Sequence, residues 1–484
     1  MVTKILSISR VKPNNPTLDA SLYAGYNPSS FTTYNTSEHP VIPLSALDKN
    51  NYSSVTLFYG YTSSAFPSSI TSFSSLVEKL SSSLSQLLDY FPILAGTFEY
   101  IPDEKIGNII LDGSGVVLVQ SENSELSLTD LTNIEHQSIE LAKHFSIDSA
   151  ALKTQYPSIQ HYPLIVQVTK LKCSSVILTL QTSHALLDGT SYETFQSTWS
   201  KLALGMTNVD KPDLQQFLYH NRIDDSIVSE MPTGWAPVPK SSLLNPSNDS
   251  QLPPVYSKLY YLSQSKILHL KEEITAVLSS QGFPHFISSD DVVTAVFWRA
   301  ITKIRQLAPN STSSLIRPTN IRSFESPPIP PNAIGNFAMT HHTSLLVSEL
   351  SSPSLIPSLV EICKQIRMSM LAFDHHKIRR NYKYFAELPP ETACSMNFQS
   401  YDVADIFINS WKKFTTLANF DLGFGSNSFV LLPPIANGMV IFFPTNQSNL
   451  PGVIAHVYLP PNQLKELSND QGVQLIMSDD NERN

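Results

Sequence analysis

The stretch Ser183-His184-Ala185-Leu186-Leu187-Asp188-Gly189 carries the residue types from which proton-transfer chemistry is built. An imidazole stands four residues ahead of a carboxylate, and a glycine follows that carboxylate directly. A neutral imidazole titrates near ~6.5 and can accept a proton at neutral pH, so His184 is a candidate general base for an acyl transfer. Asp188 invites a second role, as the orienting member of a triad. Residues four apart across a strand end and a turn need not face each other, so this spacing alone does not make the pair. The plain alternative for any single histidine is a buried ring satisfied at a strand end; the other motifs of the chain weigh against it.

The flanking pattern shows how such a ring would be held. Residues 176–182 are strand-like, and residues 191–199 are helix-like. His184 therefore falls at the end of a buried strand, where open sheets leave a crevice. Residues 163–171 and 175–183 read as a strand pair around Lys172-Cys173-Ser174. Earlier, Phe73, Leu76, Val77, Leu80, Leu84, Leu87, Leu88 and Phe91 recur at three- and four-residue steps, one face of an amphipathic helix ended by Pro92. Residues 108–111 and 116–119 flank Asp112-Gly113-Ser114-Gly115 and read as a hairpin. In the second half, 258–262 is a strand and 264–278 a helix with Ser263 as N-cap. Ser288-Ser289-Asp290 caps a further helix to Ile304, residues 350–373 are one or two helices, and 406–411, 439–444 and 453–459 are strands.

At 484 residues the chain exceeds what one hydrophobic core usually supports, so two domains are expected, 1–205 and 258–484. Between them, 206–257 loses periodicity and gathers Pro212, Pro232, Pro237, Pro239, Pro246, Pro253 and Pro254, as a long crossover would. Apolar residues make up 42% and charged residues 15%, the balance of a folded globular protein. The net charge of −9 disfavours nucleic acid and anionic membranes as partners, since both reward basic surfaces. No run reaches the ~18 apolar residues of a membrane span. The N-terminal residues lack an apolar signal core, so a cytoplasmic location is expected. Cys173, Cys363 and Cys394 have no metal-ligand spacing and suit a reducing compartment. The adjacent pairs His341-His342 and His375-His376 do not make a spaced zinc set, and packing or surface roles are expected. The run Lys377-Ile378-Arg379-Arg380 with Lys383 reads as a solvated face.

Several pieces in order resemble the BAHD acyltransferases. His184-Ala185-Leu186-Leu187-Asp188-Gly189 fits the HxxxDG motif of that family in full. Asp421-Leu422-Gly423-Phe424-Gly425 is similar to its DFGWG motif, with Leu422 for Phe and Phe424 for Trp. Asn409-Ser410-Trp411 is similar to a Thr-Ser-Trp strand, Asn320-Ile321-Arg322 and Ile334-Gly335-Asn336 to its Asn-x-Arg and Gly-Asn pieces, and Ser288-Ser289 with Trp298-Arg299 to its CoA-side helix. Ser183 stands where condensation domains begin their motif with a second histidine.

The resemblance implies an α/β fold of two chloramphenicol-acetyltransferase-like domains, each a mixed sheet with flanking helices, with a channel between them. It implies transfer of an acyl group from acyl-CoA to a small-molecule alcohol or amine, as in secondary metabolism, with no metal or bound cofactor. A monomer is expected. His184 would be the base. Asp188 would turn away from it to pair with Arg322 as a brace, while Gly189, Asp421, Gly423 and Gly425 shape the site and the domain interface. Asn409 and Trp411 are candidates for the oxyanion or acceptor side, with strand packing as their alternative; Ser288 and Ser289 are candidates for CoA. A non-catalytic binding protein of this fold and a carrier-dependent condensing enzyme are the rival readings.

Overall fold

The computed structural model describes residues 3–15, 39–51, 53–99, 108–132, 137–154, 162–215, 226–240, 255–389, 391–396, 405–445 and 451–479. Parts of the expected crossover, 216–225 and 241–254 with Pro246, Pro253 and Pro254, lie outside them.

The strands of the two larger sheets are, in chain order, β1 (Lys4–Val11), β2 (Ser54–Tyr61), β3 (Val116–Asn123), β4 (Leu164–Leu171), β5 (Val176–Ser183), β6 (Tyr256–Ser263), β7 (Thr312–Asn320), β8 (Ala338–Leu346), β9 (Ile406–Ser410), β10 (Phe429–Leu431), β11 (Met439–Pro444) and β12 (Gly452–Leu459). The helices that bear on the site are α1 (Ala46–Lys49), α2 (Phe73–Tyr90), α3 (Gly189–Ala203), α4 (Gln264–Ser280), α5 (Ser289–Ile304), α6 (Leu355–Leu371), α7 (His375–Ala386) and α8 (Thr415–Ala418).

The first sheet has the order β1-β3-β4-β5-β2-β10, with β3 and β4 parallel and the other neighbours antiparallel. The second has the order β6-β12-β11-β9-β7-β8, in which β11, β9 and β7 run parallel. Both are mixed sheets with helices against them. Strand β5 lies inside the first sheet, and all its residues except Gln181 are buried, in keeping with its Val176, Ile177, Leu178 and Leu180. Helix α2 forms over the expected span; its Ser72 accepts from Ser75 N, and Leu76, Val77, Leu80, Leu84, Leu87 and Leu88 are buried. That face packs on α3, where the fully buried Trp199 donates from Nε1 to Ser83 Oγ at 3.0 Å.

Two expectations are corrected. Residues 108–119 do not form a hairpin. Ile109–Ile110 joins Val41–Ile42 and Thr97–Phe98 in a small sheet, whereas β3 is flanked on both edges by β1 and β4 and has no edge left for it. Asp112 instead closes the turn locally, accepting from Ser114 N at 3.0 Å and Thr97 Oγ1 at 2.8 Å. Ser263 occupies the N-cap position of α4, but its hydroxyl bonds Ser265 Oγ at 2.9 Å, not a helix amide.

The halves of the chain exchange short segments. Strand β10 leaves the second half to pair with β2, and Leu47 of α1 leaves the first half to pack with Ile321, Phe337, Phe373 and Ile378. The loop ahead of β10 is the Asp421–Gly425 motif. Asp421 Oδ1 accepts from Gly423 N at 2.7 Å and Gly425 N at 3.0 Å, so the carboxylate folds its own loop. The loop docks on the first half: Ser200 Oγ of α3 donates to Asp421 O at 2.7 Å, Tyr61 OH donates to Phe420 O at 2.8 Å, and Phe424 packs edge-on against Tyr61 and Phe66. Phe424 is buried, filling the place of the expected tryptophan with an aromatic ring. Gly423 adopts φ +81°, and a Cβ there would lie 2.8 Å from Ala203 O. Gly423→Ala should therefore cost about 1–3 kcal/mol, combining left-handed strain with a backbone clash. Denaturant unfolding checks this, and an unchanged midpoint would contradict the tight docking.

Candidate active site

His184 is the first residue beyond β5, and its N–H donates to Ser53 O at 2.9 Å, extending the ladder with β2 by one bond. The chain then turns through Ala185, Leu186 and Leu187, all buried, and enters α3 at Gly189. The turn is thus clamped by apolar packing on one side, and the half-buried imidazole projects from a rigid base.

The ring is oriented by Asn336. His184 Nδ1 and Asn336 Oδ1 are 3.1 Å apart, and Asn336 Nδ2 donates to His184 O at 2.7 Å. Since that amide nitrogen is the donor end, Oδ1 is an acceptor and Nδ1 must carry the proton. The other ring nitrogen, Nε2, is then the basic one.

Asp188 faces elsewhere. Arg322 Nη1 donates to its Oδ2 at 2.7 Å and Nη2 to its Oδ1 at 3.1 Å, a bidentate pair between residues 134 positions apart. Ser191 N donates to Oδ1 at 2.8 Å, capping α3, and Phe337 N donates to Oδ2 at 2.9 Å. Burial alone would raise the Asp188 carboxyl, but the Arg322 charge and these donors hold it below the usual carboxylate range. With both oxygens saturated and His184 Nδ1 bound to Asn336, the two motif residues do not pair. Arg322 is fixed in turn: it donates to Ala333 O at 2.8 Å and lies 4.6 Å over the Phe337 ring, while Asn320 Oδ1 accepts from its backbone N–H at 3.0 Å. The Asn-x-Arg and Gly-Asn pieces thus converge on one buried knot around the HxxxDG turn.

Trp411 reaches the same turn from the second sheet. Phe414 and the indole Nε1 crowd Gly189, where a Cβ would lie 2.7 Å from the Phe414 ring and 3.7 Å from Trp411 Nε1. Alternation along β9 decides the neighbours. Asn409 lies beside Ile441, which belongs to the core of the first half, so Asn409 and Trp411 share the face turned toward α3. Ser410 points the other way, donating to Asp290 Oδ1 at 2.7 Å at the start of α5. There Ser288 Oγ is engaged in the helix cap, accepting from Asp291 N at 3.1 Å, with Ser289 as the first helical residue. Burial would raise the Asp290 carboxyl, but Arg317 and Lys412 hold it down at about 2. The Asp421 motif is not at this turn: Ser200, which it contacts, is eleven residues beyond Gly189, about 16 Å along α3 at ~1.5 Å per residue.

The remaining candidates take packing roles. His341 is buried on β8 against Thr319 Oγ1 at 2.9 Å, and burial and the nearby Arg317 push its pKa to about 3; burial and Lys377 push His342 to about 4. His375 begins α7, its Nδ1 3.1 Å from Phe324 O. The basic run is not uniformly solvated, because Arg379 is buried and paired with Glu325. Cys363 is buried, and burial pushes its thiol far up. Two residues at the site had no role in the sequence reading: Asn336, present only as half of a Gly-Asn piece, and Asp48, which follows Ser45 at capping-box spacing and whose local pattern signals only a helix start.

Residues 31–473 match the model of the Transferase family. Anthranilate N-benzoyltransferase protein 2 of Dianthus caryophyllus is 24% identical over 278 residues, which are 56% of this chain and 59% of that protein's length. Shikimate O-hydroxycinnamoyltransferase of Nicotiana tabacum is 24% identical over 356 residues, 72% of this chain and 77% of that protein. Among solved structures, vinorine synthase superposes with a TM-score of 0.68 at 18% identity, covering 99% of both chains. An F. graminearum protein solved with coenzyme A and deoxynivalenol superposes with a TM-score of 0.69 at 14% identity, covering 90% of this chain and 99% of that one. The mixed two-sheet architecture is therefore the fold of these proteins.

Asp188→Asn should destabilise the protein by about 3–5 kcal/mol at neutral pH, because it leaves Arg322 buried without its counter-charge. The folded-state pKa of Asp188 is depressed, so its contribution is present above the unfolded value of ~3.9 and is lost as pH falls through the folded one. The gap between wild type and variant should close below pH ~4, and unfolding curves at a series of pH values check it.

Proposed function

This chain belongs to the BAHD acyltransferases, and we propose that it transfers an acyl group from an acyl-CoA thioester to the hydroxyl or amine of a small-molecule acceptor. The observation that carries the reading is the orientation of His184, held through Nδ1 at a rigid strand end with Nε2 left basic.

In the proposed reaction the acceptor O–H or N–H gives its proton to His184 Nε2 while its oxygen or nitrogen attacks the thioester carbonyl. The carbonyl electron pair moves onto oxygen, giving a tetrahedral oxyanion. Trp411 Nε1 and the Asn409 amide are the candidate donors for that charge, each such donor being worth ~3 kcal/mol where it acts. Collapse of the oxyanion breaks the carbon–sulfur bond, and the imidazolium returns the proton to the leaving thiolate. The products are the ester or amide and free CoA, so His184 ends neutral. Asp188 takes no proton; with Arg322 it keeps the turn in place. Ser289, and Ser288 beside it in the cap of α5, are the CoA-side candidates. Acyl-CoA enters as co-substrate, with no resident metal or cofactor in the scheme. In this proposal the protein acts as a cytoplasmic monomer without nucleic-acid or membrane partners.

The test is release of free thiol from a panel of acyl-CoAs with mixed alcohol and amine acceptors. Wild type should turn over, and His184→Ala should lose ~10²–10⁴-fold in kcat while retaining its melting temperature. Equal rates for the two proteins would leave only a binding protein of this fold. Turnover with carrier-bound but not free CoA thioesters would instead support the condensing enzyme.

A further inference from the structure

Asp48 is a fully buried carboxylate on a four-residue helix, far from the motif in sequence. Its capping role uses one oxygen, as Oδ2 accepts from Ser45 N at 2.9 Å. The other leaves the helix. Oδ1 accepts from Asn336 N at 3.1 Å and from Asn336 Nδ2 at 3.0 Å, across 288 residues of sequence. A buried charge is costly unless its donors are in place. Here two of those donors come from the residue that touches the His184 ring.

Both hydrogens of the Asn336 amide are thereby engaged, one by Asp48 Oδ1 and one by His184 O. Turning the amide over would set its oxygen against a carboxylate oxygen and a carbonyl oxygen. Oδ1 is therefore the only end of Asn336 that can face His184 Nδ1, and it can only accept. Resting on the reading of His184 as the base, we propose that Asp48 is a positioning residue: it locks the Asn336 amide so that the imidazole is held as the Nδ1–H tautomer, with Nε2 free to take the acceptor proton. The chain runs Asp48, Asn336, His184, and links a segment of the first half through the second half back to the turn after β5. It occupies the role a triad aspartate would have, with an amide between carboxylate and ring, because Asp188 is taken by Arg322.

The experiment reads the tautomer directly. Protein labelled with ¹⁵N-histidine is compared with His184→Ala to identify the His184 resonances, at a pH where the ring is neutral and without substrate. Wild type should show a protonated Nδ1 and a bare Nε2. Asp48→Ala should shift the population toward the Nε2–H form and lower kcat about 10-fold, a part of the ~10²–10⁴-fold a positioned base supplies, with KM for acyl-CoA within about twofold. Asn336→Ala, which leaves the Ser45–Asp48 cap intact, should give the same shift and covers the case in which Asp48→Ala does not fold. A wild-type tautomer in the folded variant overturns the proposal. Because the tautomer is read without turnover, an inactive wild type whose variants still show the shift rejects the catalytic reading and not the positioning one.

Discussion

The buried ion pair between Asp188 and Arg322 is the constraint on which the site depends. Both partners are buried, and further hydrogen bonds tie Asp188 to the first turn of α3 and Arg322 to the 333–337 segment. Such a pair does little to raise stability above that of an apolar equivalent, since desolvation offsets most of the attraction. What it supplies is register. A charged carboxylate buried at the start of α3 tolerates only the arrangement that brings Arg322 to it, so the turn bearing His184 is tied to one position against the second half of the chain.

The same packing accounts for the separation of roles within six residues. Asp188 points into the protein, where its charge is neutralised, while His184 remains half-buried and, among the described residues, is bound through Nδ1. Gly189 then lets the Phe414 ring approach the helix start more closely than a side chain would allow, with Trp411 Nε1 beside it. Aromatic residues that follow β9 of the second sheet therefore meet the turn that follows β5 of the first. The Asp421–Gly425 loop acts at a distance, fastening the far end of α3 and feeding β10 into the first sheet.

Much of this was legible in the chain. The strand before His184, the amphipathic helix from Phe73 and the helix capped by Ser288 follow from periodicity and cap chemistry, both local properties. The mistaken hairpin at 108–119 shows the limit. Turn residues between apolar arms were read correctly as a turn, but which strand each arm pairs with depends on edges supplied by residues far away. The basic run at 377–383 failed for a similar reason: Arg379 has a buried partner, Glu325, that no local pattern announces.

By itself the sequence determined which groups meet at this turn, an imidazole at the end of a buried strand with an Asp-Gly turn behind it, because side-chain type and strand period are written in adjacent residues. It also carried the family membership and hence the two-sheet architecture. Only the tertiary structure decided the partners. That Asp188 serves Arg322 and not His184, that Asn336 orients the ring, and that Asp48 holds Asn336 are matters of contacts spanning 134, 152 and 288 residues. A hydrogen bond needs its atoms within about 3 Å and aligned, and sequence distance says nothing about that until the sheets have closed on each other.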